Sequence, residues 1–201
     1  MEPALTLANT PLDLQITICM FLHPSDILAL RKVCLSINTE SFGYGCLKHV
    51  KTCKALELAT RRRIVWVAVL RKVCLDNTLF LPSFPISDMS DLELERAAMG
   101  PHRWIQLFYA SQRQHSNGFS ETLQPRKIRD FEDGDKSNFY IVPGGRYMVI
   151  ASDTLSVWDL GYISTVDCEL VASVELDDYC YFLEVQATPD GMGLVILIAY
   201  W

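Results

Sequence analysis

A single change of period constrains this chain more than any other feature. Up to about residue 112 the apolar residues recur at helical spacing, and after about residue 137 they fall in short runs broken by Pro-Gly and Asp-Gly turns. Helices first and strands second is the order of an α+β protein. The polar stretch between the two halves, Ser111 to Gly118 and then Glu132 to Asn138, is rich in turn-forming residues and reads as a linker, interrupted by a short strand around Ile128 to Phe131.

Composition narrows the class. An apolar content of 50% with 21% charged residues describes a chain that folds. A formal net charge of −6 gives no basic face able to neutralise several phosphates, which argues against nucleic acid as a partner. The basic clusters, Arg61-Arg62-Arg63, Arg71-Lys72 and Arg126 to Arg129, are local and read as solvated flanks of apolar segments. Seven cysteines make an odd set without a Cys-x-x-Cys pair, which suits a reducing compartment. Cys46, His49 and Cys53 lack a fourth ligand nearby, so no metal is expected. No secretory signal fits, and the longest apolar runs, Ile64 to Leu70 and Leu194 to Trp201, fall short of the roughly 20 residues that a bilayer requires. The expectation is an intracellular protein, cytoplasmic or nuclear, with no membrane partner.

Local signals set the first helices. In Thr10-Pro11-Leu12-Asp13 the threonine can cap, proline suits the first helical position, and aspartate faces the positive end of the helix, so a helix is predicted from Pro11. Leu14, Ile18 and Leu22 fall on one face, while Leu12, Ile16, Cys19 and Met20 cover most of the rest, which predicts burial on more than one side. A second helix is predicted to open at His23-Pro24-Ser25-Asp26 with Ser25 as its cap, and to bury Ile27, Leu30, Cys34 and Ile37. A module of about 40 residues rarely buries enough surface to stand alone. Its excess apolar surface is met either by the helices that follow or by a partner, and the residues alone leave those two readings level.

The ordered set Thr10-Pro11-Leu12-Asp13-Leu14, Ile18, Phe21-Leu22, Pro24-Ser25-Asp26-Ile27-Leu28, Leu30-Arg31 and Val33-Cys34 resembles the F-box motif over Leu7 to about Ile37. It departs from the family where Thr10 stands in place of the usual leucine and Ile37 in place of a frequent tryptophan. The resemblance implies that residues 1–50 bind a Skp-type adaptor, and through it a cullin, while the remainder of the chain selects a protein substrate for ubiquitination. Carried onto this sequence, it makes Pro11, Leu14, Ile18, Leu22, Pro24, Ile27, Leu28, Leu30 and Val33 the candidates for the adaptor interface or the core directly behind it. The expected mode is a helix in a groove, with anchors at i, i+4 and i+8.

Residues 51–112 read as a helical spacer. The run from Thr60 to Leu75 carries β-branched residues compatible with either element; its length and charged flanks favour a helix. Ser90-Asp91-Leu92-Glu93 has the capping-box form ahead of a helix to Met99, and Gly100-Pro101 ends that helix and opens another over His102 to Ala110. Trp66, Trp104, Phe108 and Tyr109 could form an aromatic ligand cage, but core packing is the favoured reading.

In residues 138–201, Pro143-Gly144-Gly145 and Ser152-Asp153-Thr154 divide the chain into a meander of three strands. The turn recurs as Thr188-Pro189-Asp190-Gly191, 46 residues after the first, ahead of Leu194 to Trp201. Repeats of that size with turn-separated strands indicate propeller blades. Trp158-Asp159 resembles the Trp-Asp signature of a WD repeat, and the whole order resembles fungal F-box proteins, although no Gly-His pair precedes the blade and Asp153 lies one residue closer to Trp158 than the family's structural aspartate. Asp153 and Asp159 are read as turn and strand-end residues. About one and a half blades are expected, short of the four that close a propeller, with an open edge available to other strands. The expected fold is therefore α+β: an N-terminal F-box and helical spacer, a linker over 113–137, and a partial, shortened, propeller-like antiparallel region.

No catalytic constellation emerges. Gly-rich phosphate loops, Gly-x-Ser-x-Gly elbows and His-Glu-x-x-His helices do not occur, and His23, His49, His102 and His115 are scattered. Glu93/Glu95 and Asp177/Asp178 read as solvated pairs. The expectation is a non-catalytic ligase subunit without cofactor or metal. The alternatives are a structural protein whose helices pack only on its own strands, and a fragmentary relative that binds the adaptor without a substrate.

Overall fold

The computed structural model describes residues 10–40, 47–113, 138–162, 168–176 and 180–200. Among the described residues six α-helices, α1 (Leu12–Phe21), α2 (Pro24–Glu40), α3 (Leu47–Thr60), α4 (Arg63–Asp76), α5 (Asp91–Ala98) and α6 (Gly100–Arg113), precede six strands, β1 (Asn138–Ile141), β2 (Tyr147–Ala151), β3 (Thr154–Asp159), β4 (Glu169–Glu175), β5 (Cys180–Ala187) and β6 (Leu194–Tyr200). This is the α+β order that the change of period predicts. Contacts divide the chain into two compact units, Met1–Lys72 with Asp88–Gln112, and Val73–Ser87 with Arg113–Trp201.

In the helical unit, α1 starts one residue later than predicted. Pro11 occupies the cap position with ψ 148, no side chain caps the helix, and the first intrahelical bond runs from Gln15 N–H to Pro11 C=O at 3.1 Å. The cap of α2 is also displaced. Asp26 and Ile27 donate to His23 C=O at 2.9 and 3.2 Å, so His23 rather than Ser25 is the cap, and Pro24 takes the first helical position. The His23 imidazole does the work expected of a hydroxyl: Nδ1 accepts the Ser25 N–H at 3.4 Å and lies 2.7 Å from Ser25 Oγ.

The run that could have been strand is α4. Val65, Trp66, Val69, Leu70 and Val73 recur on one side of it and are buried, which decides for the helical period. Arg31 joins four elements: its guanidinium donates to Glu95 Oε2 at 2.8 Å and to Thr60 C=O at 2.7 Å and lies 5.7 Å from the centre of the Trp66 ring. Trp66 Nε1–H donates to the same carbonyl at 2.9 Å. At the head of α5 the predicted capping box forms, with Ser90 N–H donating to Glu93 Oε2 at 2.7 Å and Glu93 N–H to Ser90 Oγ at 3.4 Å.

In the strand unit, β1 to β4 pair antiparallel in chain order, and β5 and β6 form a separate hairpin. The meander therefore continues one strand beyond the predicted three. The Pro143-Gly144-Gly145 turn forms as predicted, with Val142 N–H donating to Tyr147 C=O and Gly145 N–H to Val142 C=O, both at 2.9 Å. Thr188 to Gly193 closes β5 to β6 in the same manner, Thr188 N–H donating to Gly193 C=O at 2.9 Å. Among the described residues the strands make open sheets of four and two, with no closed ring of blades.

The unpredicted feature is what seats the two turns. Phe80 N–H donates to Pro143 C=O and Leu81 N–H to Gly191 C=O, each at 2.9 Å, so one short segment from between the helices bonds both turns of the strand unit. Ser83 on this segment is fully buried. The predicted strand at Ile128 to Phe131 lies outside the described residues.

Candidate functional site

Helix α1 is apolar nearly all round but is buried on only one side, against the expectation that it would be covered on several. Gln15 and Cys19, one turn apart, form its buried face, and Gln15 Nε2 donates to Thr10 C=O at 3.1 Å, bracing the entry of the chain. On the other side Leu14 is 53% exposed, Ile18 39% and Phe21 75%. These residues stand at i, i+4 and i+7, and with exposed Pro11 they make one continuous stripe along the helix. Thr17 does not break its apolar character, because its hydroxyl is turned back to donate to Asp13 C=O at 2.8 Å. The helix ends with Leu22 N–H bonded to Cys19 C=O at 3.2 Å and Lys72 Nζ 3.5 Å from Phe21 C=O, a cation at the negative end of the helix.

The nine candidates from the sequence separate by burial. Pro11, Leu14 and Ile18 are exposed; Leu22, Leu28 and Leu30 are half-buried; Pro24 and Ile27 are buried. Val33 lies within α2 with its side chain outside what is described. Phe21, the most exposed member of the stripe, was not among the nine. Its place three residues after Ile18 is the signal that marks it. Because the stripe curves with the helix, its third exposed anchor is Phe21 rather than Leu22, so the spacing is i, i+4, i+7 and not i, i+4, i+8.

Trp66 is core, as favoured, but Trp104, Phe108 and Tyr109 are exposed on α6 together with Ile105 and Leu107, so core packing does not hold for them. His23 and His102 are not scattered: their rings meet edge to face with centroids 5.6 Å apart, and His102 Nε2 lies 2.8 Å from Gln106 Nε2. Glu93 is engaged in the capping box, whose hydrogen bonds from Ser90 hold its carboxyl below the usual range, and Glu95 is paired with Arg31, so neither is placed for acid–base work. Asp177, Asp178 and His115 lie outside the described residues, as does Cys46 of the Cys46, His49, Cys53 group. Among the described residues no group of three His, Cys, Asp or Glu side chains could hold a metal ion. Burial pushes the Cys19 thiol up and the Cys74 thiol to about 12, which keeps both protonated and unreactive. No helix of the described residues is long and apolar enough to cross a membrane.

Asp159 is a strand-end residue, as read, with a partner that the sequence did not disclose. Arg146 donates through Nε to Asp159 Oδ1 at 3.0 Å and through Nη2 to Oδ2 at 2.6 Å, and Gly161 N–H donates to Oδ1 at 2.8 Å. The Arg146 hydrogen bonds hold the Asp159 carboxyl below its ordinary range. The pair ties the start of β2 to the end of β3, and Arg146 Nη1 reaches Pro82 C=O at 3.4 Å. Asp153 sits exposed in its turn, 2.9 Å from the Ser152 hydroxyl that donates to it.

No family model matches the chain, and no match to it is found among the curated proteins or the solved structures.

Proposed function

We propose that this protein is a non-catalytic, substrate-recruiting subunit of a Skp-cullin-F-box ubiquitin ligase, docking on a Skp-type adaptor through the exposed stripe of α1. The observation that carries this reading is the stripe itself: Pro11, Leu14, Ile18 and Phe21 lie exposed on a helix whose opposite face is held by Gln15 and Cys19. A large apolar side chain moved from water into a groove contributes about 1.5–3 kcal/mol, so three such anchors supply the core of a stable interface. Buried Pro24 and Ile27 then support the surface, and half-buried Leu22, Leu28 and Leu30 form its margin.

The strand unit is read as a partial propeller-like region. A four-stranded antiparallel meander followed by a hairpin, with turns 46 residues apart that bond to the same segment, supports one blade and the first half of another. In this reading it is the part of the chain on the substrate side, and the protein works where cullin ligases do, in cytoplasm or nucleus.

Co-expression with a Skp-type adaptor, followed by size-exclusion chromatography, tests the proposal with wild type and the Leu14→Ala/Ile18→Ala pair. Both side chains are exposed, so their truncation leaves the helical core intact and loss of a complex reports on the interface. A wild-type chain that elutes without the adaptor refutes the docking role and leaves the alternative, a structural protein with no ligase partner.

A further inference from the structure

We infer that helix α6 lies along an anionic membrane surface, with its aromatic arc sunk into the headgroup layer. The inference goes beyond the adaptor-docking role and does not depend on it. It gives the chain a partner that the short apolar runs of the sequence did not suggest.

Helix α6 is half-buried at its first turn, at Pro101 and His102, where His102 meets His23. Beyond that turn every residue from Arg103 to Ala110 is exposed, and Trp104, Ile105, Leu107, Phe108 and Tyr109 are each more than half so. A helix of this length is marginal in water unless an apolar face is packed against something. The exposed length of α6 therefore requires a surface.

The chemistry of the helix selects which one. With 3.6 residues to the turn, Leu107, Trp104, Phe108, Ile105 and Tyr109 cover an arc of roughly 200°, and Gln106, Ala110 and Arg103 take the remainder. A groove with protein walls receives a narrow stripe, as α1 presents, whereas an arc wider than half the circumference fits a plane into which the helix sinks. Trp and Tyr rings settle at the boundary between headgroups and acyl chains, with Phe and Leu beside them. The charges agree. α6 carries Arg103 and Arg113 and no Asp or Glu, in a chain whose 24 acidic residues outnumber its 18 basic ones. A second copy of α6 would offer the same two arginines and no carboxylate, while a phosphatidylserine surface supplies the missing negative charge. Arg103, exposed at the border of the arc, can lay its stem on lipid and keep its guanidinium among the phosphates. The 14 residues of α6, about 21 Å of helix, are too few to cross a hydrocarbon layer of roughly 30 Å, so the helix lies along the surface.

Flotation of the full chain with phosphatidylcholine/phosphatidylserine vesicles tests this. Wild type should float with them, and binding to phosphatidylcholine alone should be about tenfold weaker. Trp104→Ala/Phe108→Ala should lower binding by on the order of a hundredfold, about tenfold for each ring kept out of lipid. Arg103→Glu should lower it about tenfold on the phosphatidylserine vesicles. All three side chains are exposed, so the circular-dichroism spectrum should not change. Leu14→Ala/Ile18→Ala, which alters the other exposed apolar helix, should float like wild type. A wild-type chain that stays behind, binding indifferent to Trp104→Ala/Phe108→Ala or to Arg103→Glu, or binding lost in Leu14→Ala/Ile18→Ala would each overturn the inference. So would a wild-type chain of doubled mass by light scattering without vesicles that falls to the single mass in Trp104→Ala/Phe108→Ala, since a second copy would then cover the arc.

Discussion

Gly144 and Ser83 stand closer than any side chain would allow. A Cβ placed on Gly144 would lie 2.5 Å from the Ser83 Cβ and 2.6 Å from its Oγ, and the glycine holds φ at +115°, a region that L side chains rarely enter. The Pro143 turn therefore fits its seat only because position 144 has no side chain, and the backbone bond from Phe80 to Pro143 depends on that fit.

Gly144→Ala should destabilise the strand unit by about 3 kcal/mol, from backbone strain and overpacking together. Gly145→Ala is the control, since φ is +76° but nothing lies within 4 Å of the added carbon, and its cost should be limited to about 1–2 kcal/mol of backbone energy. Urea unfolding followed by circular dichroism measures both; equal midpoints for the two variants would show that the contact with Ser83 does not matter.

The Arg31 node makes a second prediction. Glu95 is paired while only about a fifth of its side chain is exposed (22%), and Arg31 also satisfies the Thr60 carbonyl. Arg31→Ala should cost about 3 kcal/mol of helical-unit stability, because it leaves a carboxylate and a carbonyl underbonded as well as removing the stem over Trp66. Glu95→Gln, which keeps a hydrogen-bond acceptor, should cost about 1 kcal/mol. Thermal unfolding of the two variants side by side is the measurement.

Acid sensitivity should trace in part to Asp159. Its carboxyl is held low in the folded state, so the stabilising contribution is complete above the unfolded value of about 3.9 and is lost as pH falls through the lower folded value. Stability should be flat in this respect near neutrality and decline below about pH 4. Asp159→Asn should be less stable at neutral pH and lose less on acidification than wild type; parallel pH profiles would remove Asp159 as a contributor.

Thiol reactivity offers a fourth check. With Cys74 pushed up to about 12 and Cys19 also raised, both should resist alkylation at neutral pH in the folded protein and react when it is unfolded in urea. Half-buried Cys168 should be modified sooner than either. Peptide mapping after brief treatment with iodoacetamide resolves the order.

What the sequence disclosed and what it withheld follow a physical division. The capping box at Ser90 and the Pro143 turn were legible because their determinants lie within four or five residues of one another. α4 was legible from its length and charged flanks despite its β-branched residues. The cap of α2 was missed because an imidazole took the place of the neighbouring hydroxyl at the same short range. Arg146 with Asp159, and Phe80 and Leu81 with their turns, were not legible, since no periodic pattern marks a bond between distant segments. For the candidate site, apolar spacing found the helix and two of its exposed residues, Leu14 and Ile18, and the family resemblance added Pro11, but spacing could not say which side of an all-apolar helix faces water. That side is set by where Gln15 and Cys19 are buried, and the same ambiguity sent the α6 aromatics to the core.

The segment carrying Phe80, Leu81 and Ser83 gives the strand unit an order of assembly and a limit on its inheritance. During synthesis this ledge leaves the ribosome before either turn that rests on it exists, so its bonds to the turns form only once the strands have been made. The polar stretch after α6 looks like the natural place to cut and recombine the two halves. A cassette taken from there would leave behind the part that holds its turns, and a chain spliced at that point would receive strands without their support.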